Sequence, residues 1–129
     1  MIKKLFTSVF CVLAFLVIAD NLKAQSIYFA EDVSSDGYPI TESSVFNISR
    51  NGGYFDVLVR LPYEVNCRSV RYEIYWNGKY STTVYQDTER NWVWFYKQIT
   101  FYDPGTYDID VYDCYDYKLV SGSVRVQYR

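Results

Sequence analysis

Apolar and polar residues alternate with a period of two along most of this chain, and turn-forming residues interrupt the alternation. The stretch SVRYEIYW at 69–76 places Val70 and Ile74 on the face opposite Glu73, because successive side chains of a strand point to opposite faces. No stretch combines helical spacing with capping residues. The periodicity therefore predicts an all-β domain.

The alternation and the turns together predict seven strands. They cover 44–49, 54–61, 69–76, 79–86, 91–101, 106–113 and 119–128. Asn77-Gly78 is the strongest hairpin signal, since both positions of such a turn require positive φ, which these residues tolerate. Short strands separated in this way favour a two-sheet antiparallel sandwich around one core. A small closed barrel is the alternative.

The segment DPGTYDIDVYD at 103–113 resembles the strand before the last in bacterial immunoglobulin-like domains. Domains of the polycystic-kidney-disease type and the fibronectin type III type share a Gly-x-Tyr step followed by alternating aliphatic residues. Gly105 and Tyr107 form that step here, and Ile109 and Val111 follow it. The resemblance implies a seven-stranded antiparallel immunoglobulin-like β-sandwich, with the Tyr107 hydroxyl bonded to the upstream backbone as a tyrosine corner.

The N-terminal segment is typical of a secretory signal peptide. Two lysines precede an apolar stretch from Leu5 to Ala19, and the small residue Ala24 suits the position before a cleavage site. A retained N-terminal anchor is the alternative. We expect 1–24 to be removed, 25–43 to form a leader with an edge strand, and 44–129 to form the sandwich. The protein would then be secreted: periplasmic, cell-surface or extracellular.

Charge and composition exclude several function classes. The chain has 13 basic and 15 acidic residues, a net charge of −2. Removing the signal segment takes away three lysines and one aspartate, which leaves a net charge of −4. The sequence has no basic stripe that would predict a nucleic-acid partner. It also has no cationic amphipathic helix that would predict membrane insertion after cleavage.

Catalytic motifs are also missing from the sequence. The chain has no histidine, which is the usual general base and a common zinc ligand. It shows no phosphate-binding loop and no nucleophile motif. A carboxylate pair could still support glycosidase chemistry, but we expect no enzyme, no cofactor and no metal.

Two cysteines remain in the expected mature chain, Cys67 and Cys114. Export favours an oxidised pair, and two cysteines allow one connectivity. If the strands alternate up and down, the loops at 62–68, 87–91 and 113–118 lie at the same end, where a disulfide between the two cysteines is reasonable. Two buried free thiols are the alternative.

The same end carries several carboxylates. Asp113 and Asp116, with Asp87 or Glu89, could offer hard oxygen ligands to calcium. The sequence shows no spaced consensus for a cation loop, and we favour the alternative that these side chains are simply solvated.

The chain is rich in aromatic residues, with 15 tyrosines, eight phenylalanines and three tryptophans. The run 91–101 is predicted to have two faces. The core face carries Val93, Phe95, Ile99 and Phe101. The outward face carries an aromatic stripe of Trp92, Trp94 and Tyr96.

Exposed rings can stack on sugar faces or anchor a protein partner. The ligand-binding residues predicted from the sequence are Trp92, Trp94, Tyr96, Tyr115 and Tyr117. They predict a binding or adhesion module for a glycan or a surface protein. Alternatively, the segment 27–29 or a neighbouring chain in an oligomer covers the stripe, or the protein is a structural subunit of a surface assembly that pairs through edge strands.

Overall fold

The computed structural model describes residues 25–129, which form nine strands in two sheets. The predicted signal peptide lies outside the described residues. The strands are β1 (Ser26–Val33), β2 (Pro39–Glu42), β3 (Val45–Ile48), β4 (Gly53–Arg60), β5 (Ser69–Trp76), β6 (Lys79–Asp87), β7 (Trp94–Phe101), β8 (Gly105–Tyr112) and β9 (Lys118–Tyr128). No helix among residues 25–129 is long and apolar enough to cross a membrane.

The sheets have the strand orders β2-β1-β4-β7 and β3-β9-β8-β5-β6. Strands that follow one another in the chain, such as β4 and β5 or β7 and β8, lie in different sheets, as in immunoglobulin-like sandwiches. The predicted immunoglobulin-like β-sandwich is confirmed, with nine strands rather than seven. One strand pair, β3 with β9, is parallel rather than antiparallel, because the chain crosses from the first sheet to the second directly after β2.

Stacked aromatic rings form the centre of the core. Phe55 lies between Phe46 and Phe101, with ring centroids 4.1 and 4.6 Å away, and the Tyr107 ring meets Phe101 edge-on at 4.7 Å. These side chains come from β3, β4, β7 and β8, so they join both sheets. Offset and edge-to-face pairs of this kind add about 0.5–1.5 kcal/mol each beyond the area they bury.

The predicted core face of 91–101 is confirmed in β7 and wrong just before it. Phe95, Ile99 and Phe101 are buried, whereas Val93 is exposed. The strand begins only at Trp94, because the preceding residues form a loop whose backbone bonds to the segment after β4 instead of to a sheet. The period-two pattern therefore does not extend to Val93.

Two local predictions from the C-terminal half are also confirmed. The Tyr107 hydroxyl donates to the carbonyl oxygen of Asp103 at 2.7 Å, which is the tyrosine-corner bond. Asn77 and Gly78 both have positive φ, 48° and 85°, as a two-residue hairpin turn of this type requires.

The segment 25–43 differs from the expected leader. It forms two strands, and β1 lies inside its sheet between β2 and β4. The pairing of β1 with β4 ends at Ala30 opposite Asp56. Residues 31–42, which we call the N-terminal hairpin, continue as the β1–β2 pair, and their turn lies over the outer face of the first sheet. The alternating pattern here is too short and too polar to have indicated two strands.

Three contacts show where the N-terminal hairpin lies. The Arg60 guanidinium donates to the Gly37 carbonyl and stacks on the Tyr38 ring, 4.2 Å from its centroid. A Cβ atom on Gly37 would collide with the Trp94 indole. On the same face of the sheet Leu58, which points away from the core, is fully buried. This sheet therefore has apolar residues buried on both faces.

Candidate functional site

The disulfide and several hydrogen bonds gather three loops at one end of the sandwich. Cys67 and Cys114 form a disulfide with their Cα atoms 5.8 Å apart, as predicted. The Thr88 hydroxyl donates to the Cys67 carbonyl at 2.5 Å, and the Val65 N–H donates to the Trp92 carbonyl at 2.8 Å. The predicted meeting of the loops at 62–68, 87–91 and 113–118 is thus confirmed.

These bonds also fix the segment that enters β7. Leu61 N–H donates to the carbonyl of Val93, the residue after Trp92, at 2.8 Å. The carbonyls of Trp92 and Val93 are thus both hydrogen-bonded to the segment after β4. The backbone on both sides of the Trp92 indole is therefore held, while 37% of the Trp92 surface remains exposed. A rigid, partly exposed ring of this kind loses little entropy when it contacts a ligand.

A groove runs along the side of the sandwich where β6 and β7 adjoin. Each of these strands is the outermost of its sheet. The groove has a volume of about 490 Å³. Its lining residues are Gln86, Asn91, Trp92, Val93, Trp94, Phe95 and Tyr96. Three of the residues predicted from the sequence, Trp92, Trp94 and Tyr96, therefore come together here.

Gln86 links the two sheets at this groove. Its Oε1 accepts a hydrogen bond from the Tyr72 hydroxyl at 2.6 Å, and its Nε2 donates to the Tyr96 carbonyl at 2.7 Å. Tyr72 is fully buried, and burial raises the pKa of its phenol, so it stays protonated and donates. A glutamine amide has two N–H donors and two oxygen lone pairs. These two bonds use one donor and one lone pair, so one N–H and one lone pair remain.

The predicted aromatic stripe is split by the N-terminal hairpin. Tyr96 is 42% exposed, similar to Trp92, but Trp94 is half-buried because its indole packs against Gly37. The stripe is therefore not a flat row of three rings. Part of it is covered, as the alternative reading expected, but the covering residue is Gly37 rather than the segment 27–29. Ligand binding by these residues stays a prediction.

Tyr115 and Tyr117 lie in the loop between β8 and β9 and are exposed, but they do not line the groove. The carboxylate of Asp113 accepts the N–H groups of both tyrosines at 2.8 and 2.9 Å. Asp116 accepts from the Arg71 guanidinium at 2.6 Å. Two of the carboxylates considered for calcium, Asp113 and Asp116, are thus engaged by the protein itself.

Residues 25–129 contain no group of three or more histidine, cysteine, aspartate or glutamate side chains placed to hold a metal ion. Nor does any acidic side chain line the groove. Sequence reasoning did not identify Gln86 or Asn91 as part of the site. A signal for Gln86 was present, because it occupies a core-facing position of β6, where an amide needs specific partners.

No family model matches the chain. No curated protein matches it. Among solved structures, it is similar to the CARDB domain of the PF1109 protein from Pyrococcus furiosus, determined in complex with di-metal ions. The two share 12% sequence identity with a TM-score of 0.43, over 81% of this chain and 96% of that one.

Proposed function

We propose that this protein is a secreted, non-catalytic binding module that recognises a glycan in the groove between β6 and β7. The observation that supports this most is the pairing of two exposed rings, Trp92 and Tyr96, with the amide of Gln86 in one groove. A sugar has apolar C–H faces that stack on aromatic rings and hydroxyls that bond to amides. The volume of the groove, about 490 Å³, lies within the usual range of ligand sites.

The composition of the groove favours binding over catalysis. Glycoside hydrolysis uses two carboxyl groups on either side of the scissile bond, and none of the groove residues is acidic. The chain also lacks histidine. A ligand held here would therefore meet stacking surfaces and hydrogen-bonding groups without an acid or a base.

Secretion is supported by the signal-like residues 1–24 and by the disulfide, which persists in oxidising compartments. The test is to express the full-length chain in a bacterium and to analyse the exported fraction by mass spectrometry. The proposal predicts a mature N-terminus at Gln25 and an oxidised cysteine pair. Retention of the uncleaved chain in the cell would contradict it.

Glycan binding is tested on an array with the mature protein and two matched tryptophan variants. Trp92→Ala removes a groove ring. Trp76→Ala removes a ring of similar exposure, 39%, and serves as the control. Trp76 is the last residue of β5, at the end of the strand away from Gln86. We expect array signals that are lost in the first variant and kept in the second. Absence of signal in the wild type, or equal loss in both folded variants, would refute the proposal.

A structural subunit is the second candidate. The outermost strand β6 is nine residues long and mostly exposed, and a free edge can pair with a strand of another chain. Light scattering over a range of concentrations distinguishes the two candidates. A monomer that binds glycans supports the binding module, whereas concentration-dependent polymers without array signals support the structural subunit.

A further inference from the structure

The outer face of the first sheet holds a buried carboxylate that does not line the groove. Asp56 is only 4% exposed, and its Oδ1 has no hydrogen-bond partner among residues 25–129. It points away from the core, opposite Ala30 on β1, at the point where the N-terminal hairpin leaves the sheet. An ionised carboxylate with a buried, unpaired oxygen is costly in such a place.

The charged groups around Asp56 do not neutralise it. Asp32, on the N-terminal hairpin, repels its charge. Arg60 lies on the same face of β4 but is engaged by Gly37 and the Tyr38 ring. The neighbour on β7 is the neutral Gln98, and on β2 the residue in the same row is Glu42. Burial, and then the charge of Asp32, raises the pKa of Asp56.

We propose that the N-terminal hairpin is an acid-stabilised flap, which closes over Trp94 when Asp56 is protonated and loosens when Asp56 ionises. Closure removes Asp56 from water, whereas an open hairpin leaves it solvated. The closed form is therefore fully favoured below the pKa of a solvated aspartate, about 3.9. That advantage is lost as the pH rises through the higher pKa of the closed form.

A bound cation is the other way to stabilise two neighbouring carboxylates. Calcium takes about six to eight oxygen ligands, and the described residues include no group of three such side chains placed to hold a metal ion. A single proton needs only Asp56 itself. The geometry therefore favours protonation, and the experiment below includes calcium as a separate condition.

The flap is tested by amide hydrogen exchange of residues 31–42 in the mature protein, measured by NMR from pH 4.5 to 8 and corrected for intrinsic rates. In the wild type the closing equilibrium should weaken by up to about tenfold per pH unit between the pKa of a solvated aspartate and the higher pKa of the closed form. In Asp56→Asn protection should be independent of pH, and in Asp32→Asn the pH dependence should be smaller. The amides of β8 serve as an internal control and should stay constant.

Asp56→Leu is a second variant, used if the asparagine variant does not fold, and it should also remove the pH dependence. Trp94 gives an independent readout in the variant Trp76→Phe/Trp92→Phe, which keeps it as the single tryptophan, because iodide should quench its fluorescence more at pH 8 than at pH 4.5. The proposal is overturned if protection in the wild type does not change with pH. It is also overturned if Asp56→Asn keeps the same pH dependence, or if calcium chloride at pH 8 restores protection. None of these results depends on glycan binding, so this test stands apart from that of the proposed function.

Discussion

Removing the disulfide should destabilise the domain more than any other change at the groove end. The bond between Cys67 and Cys114 spans 47 residues. On the chain-entropy model, a cross-link over a loop of this length contributes roughly 4 kcal/mol by restricting the unfolded state. For a domain of about 100 residues, each kcal/mol corresponds to a shift of about 4–8 °C in Tm. We therefore expect the melting temperature to fall by at least about 15 °C.

The assay is equilibrium urea unfolding of three proteins: the oxidised wild type, the reduced wild type and the double variant Cys67→Ala/Cys114→Ala. Cys67 is buried, so the double variant also loses packing around its sulfur atom, whereas the reduced wild type keeps both sulfur atoms. The difference between oxidised and reduced wild type therefore isolates the cross-link. The double variant should be less stable again, by about 1 kcal/mol for the small cavity.

A loss below about 1 kcal/mol on reduction would refute this reasoning, because the cross-link would then remove little entropy from the unfolded state. An unchanged midpoint with a smaller dependence on urea would instead indicate a more compact unfolded state. Far-ultraviolet dichroism of the reduced protein should keep the β-sheet spectrum below its melting temperature.

Three further substitutions test single contacts by the same urea assay. Tyr107→Phe removes the tyrosine-corner bond and should cost about 0.5–1.5 kcal/mol; no loss would mean that water replaces the bond. Gly37→Ala should cost at least about 1 kcal/mol, since a Cβ there meets Trp94 and the φ of +84° suits glycine; a neutral result would show that the hairpin does not pack on this ring. Gln86→Leu leaves the buried Tyr72 hydroxyl without its partner and should cost about 1–3 kcal/mol. Adding Tyr72→Phe should recover part of that loss, and no recovery would contradict the bridging role of the amide.

The strands of the second sheet could be predicted from sequence because their signals are local. Alternation assigns Val70 and Ile74 to the core, and Asn77-Gly78 identifies the turn that follows. The N-terminal hairpin could not be predicted in this way. Its position depends on contacts between Gly37 and Trp94, which are far apart in the sequence, and no local pattern encodes them.

The candidate site could be predicted only in part, because a local pattern shows which way a side chain points but not what covers it. Periodicity in β7 places Tyr96 on the outward face and Phe95 in the core, as the structure shows. Whether an outward ring is exposed depends on what else folds over it, and this is why Trp94 is half-buried. The groove also needs β6 beside β7, a neighbourhood that arises from the sheet order and not from either strand alone.

The most direct test of the account is iodide quenching of proteins that keep one tryptophan each, measured at pH 4.5 in a confirmed monomer. Trp76→Phe/Trp94→Phe retains Trp92, and Trp76→Phe/Trp92→Phe retains Trp94. An open groove beside a closed hairpin predicts strong quenching of Trp92 and weak quenching of Trp94. If Trp92 is as shielded as Trp94, the groove is not accessible, and the proposed binding site is wrong.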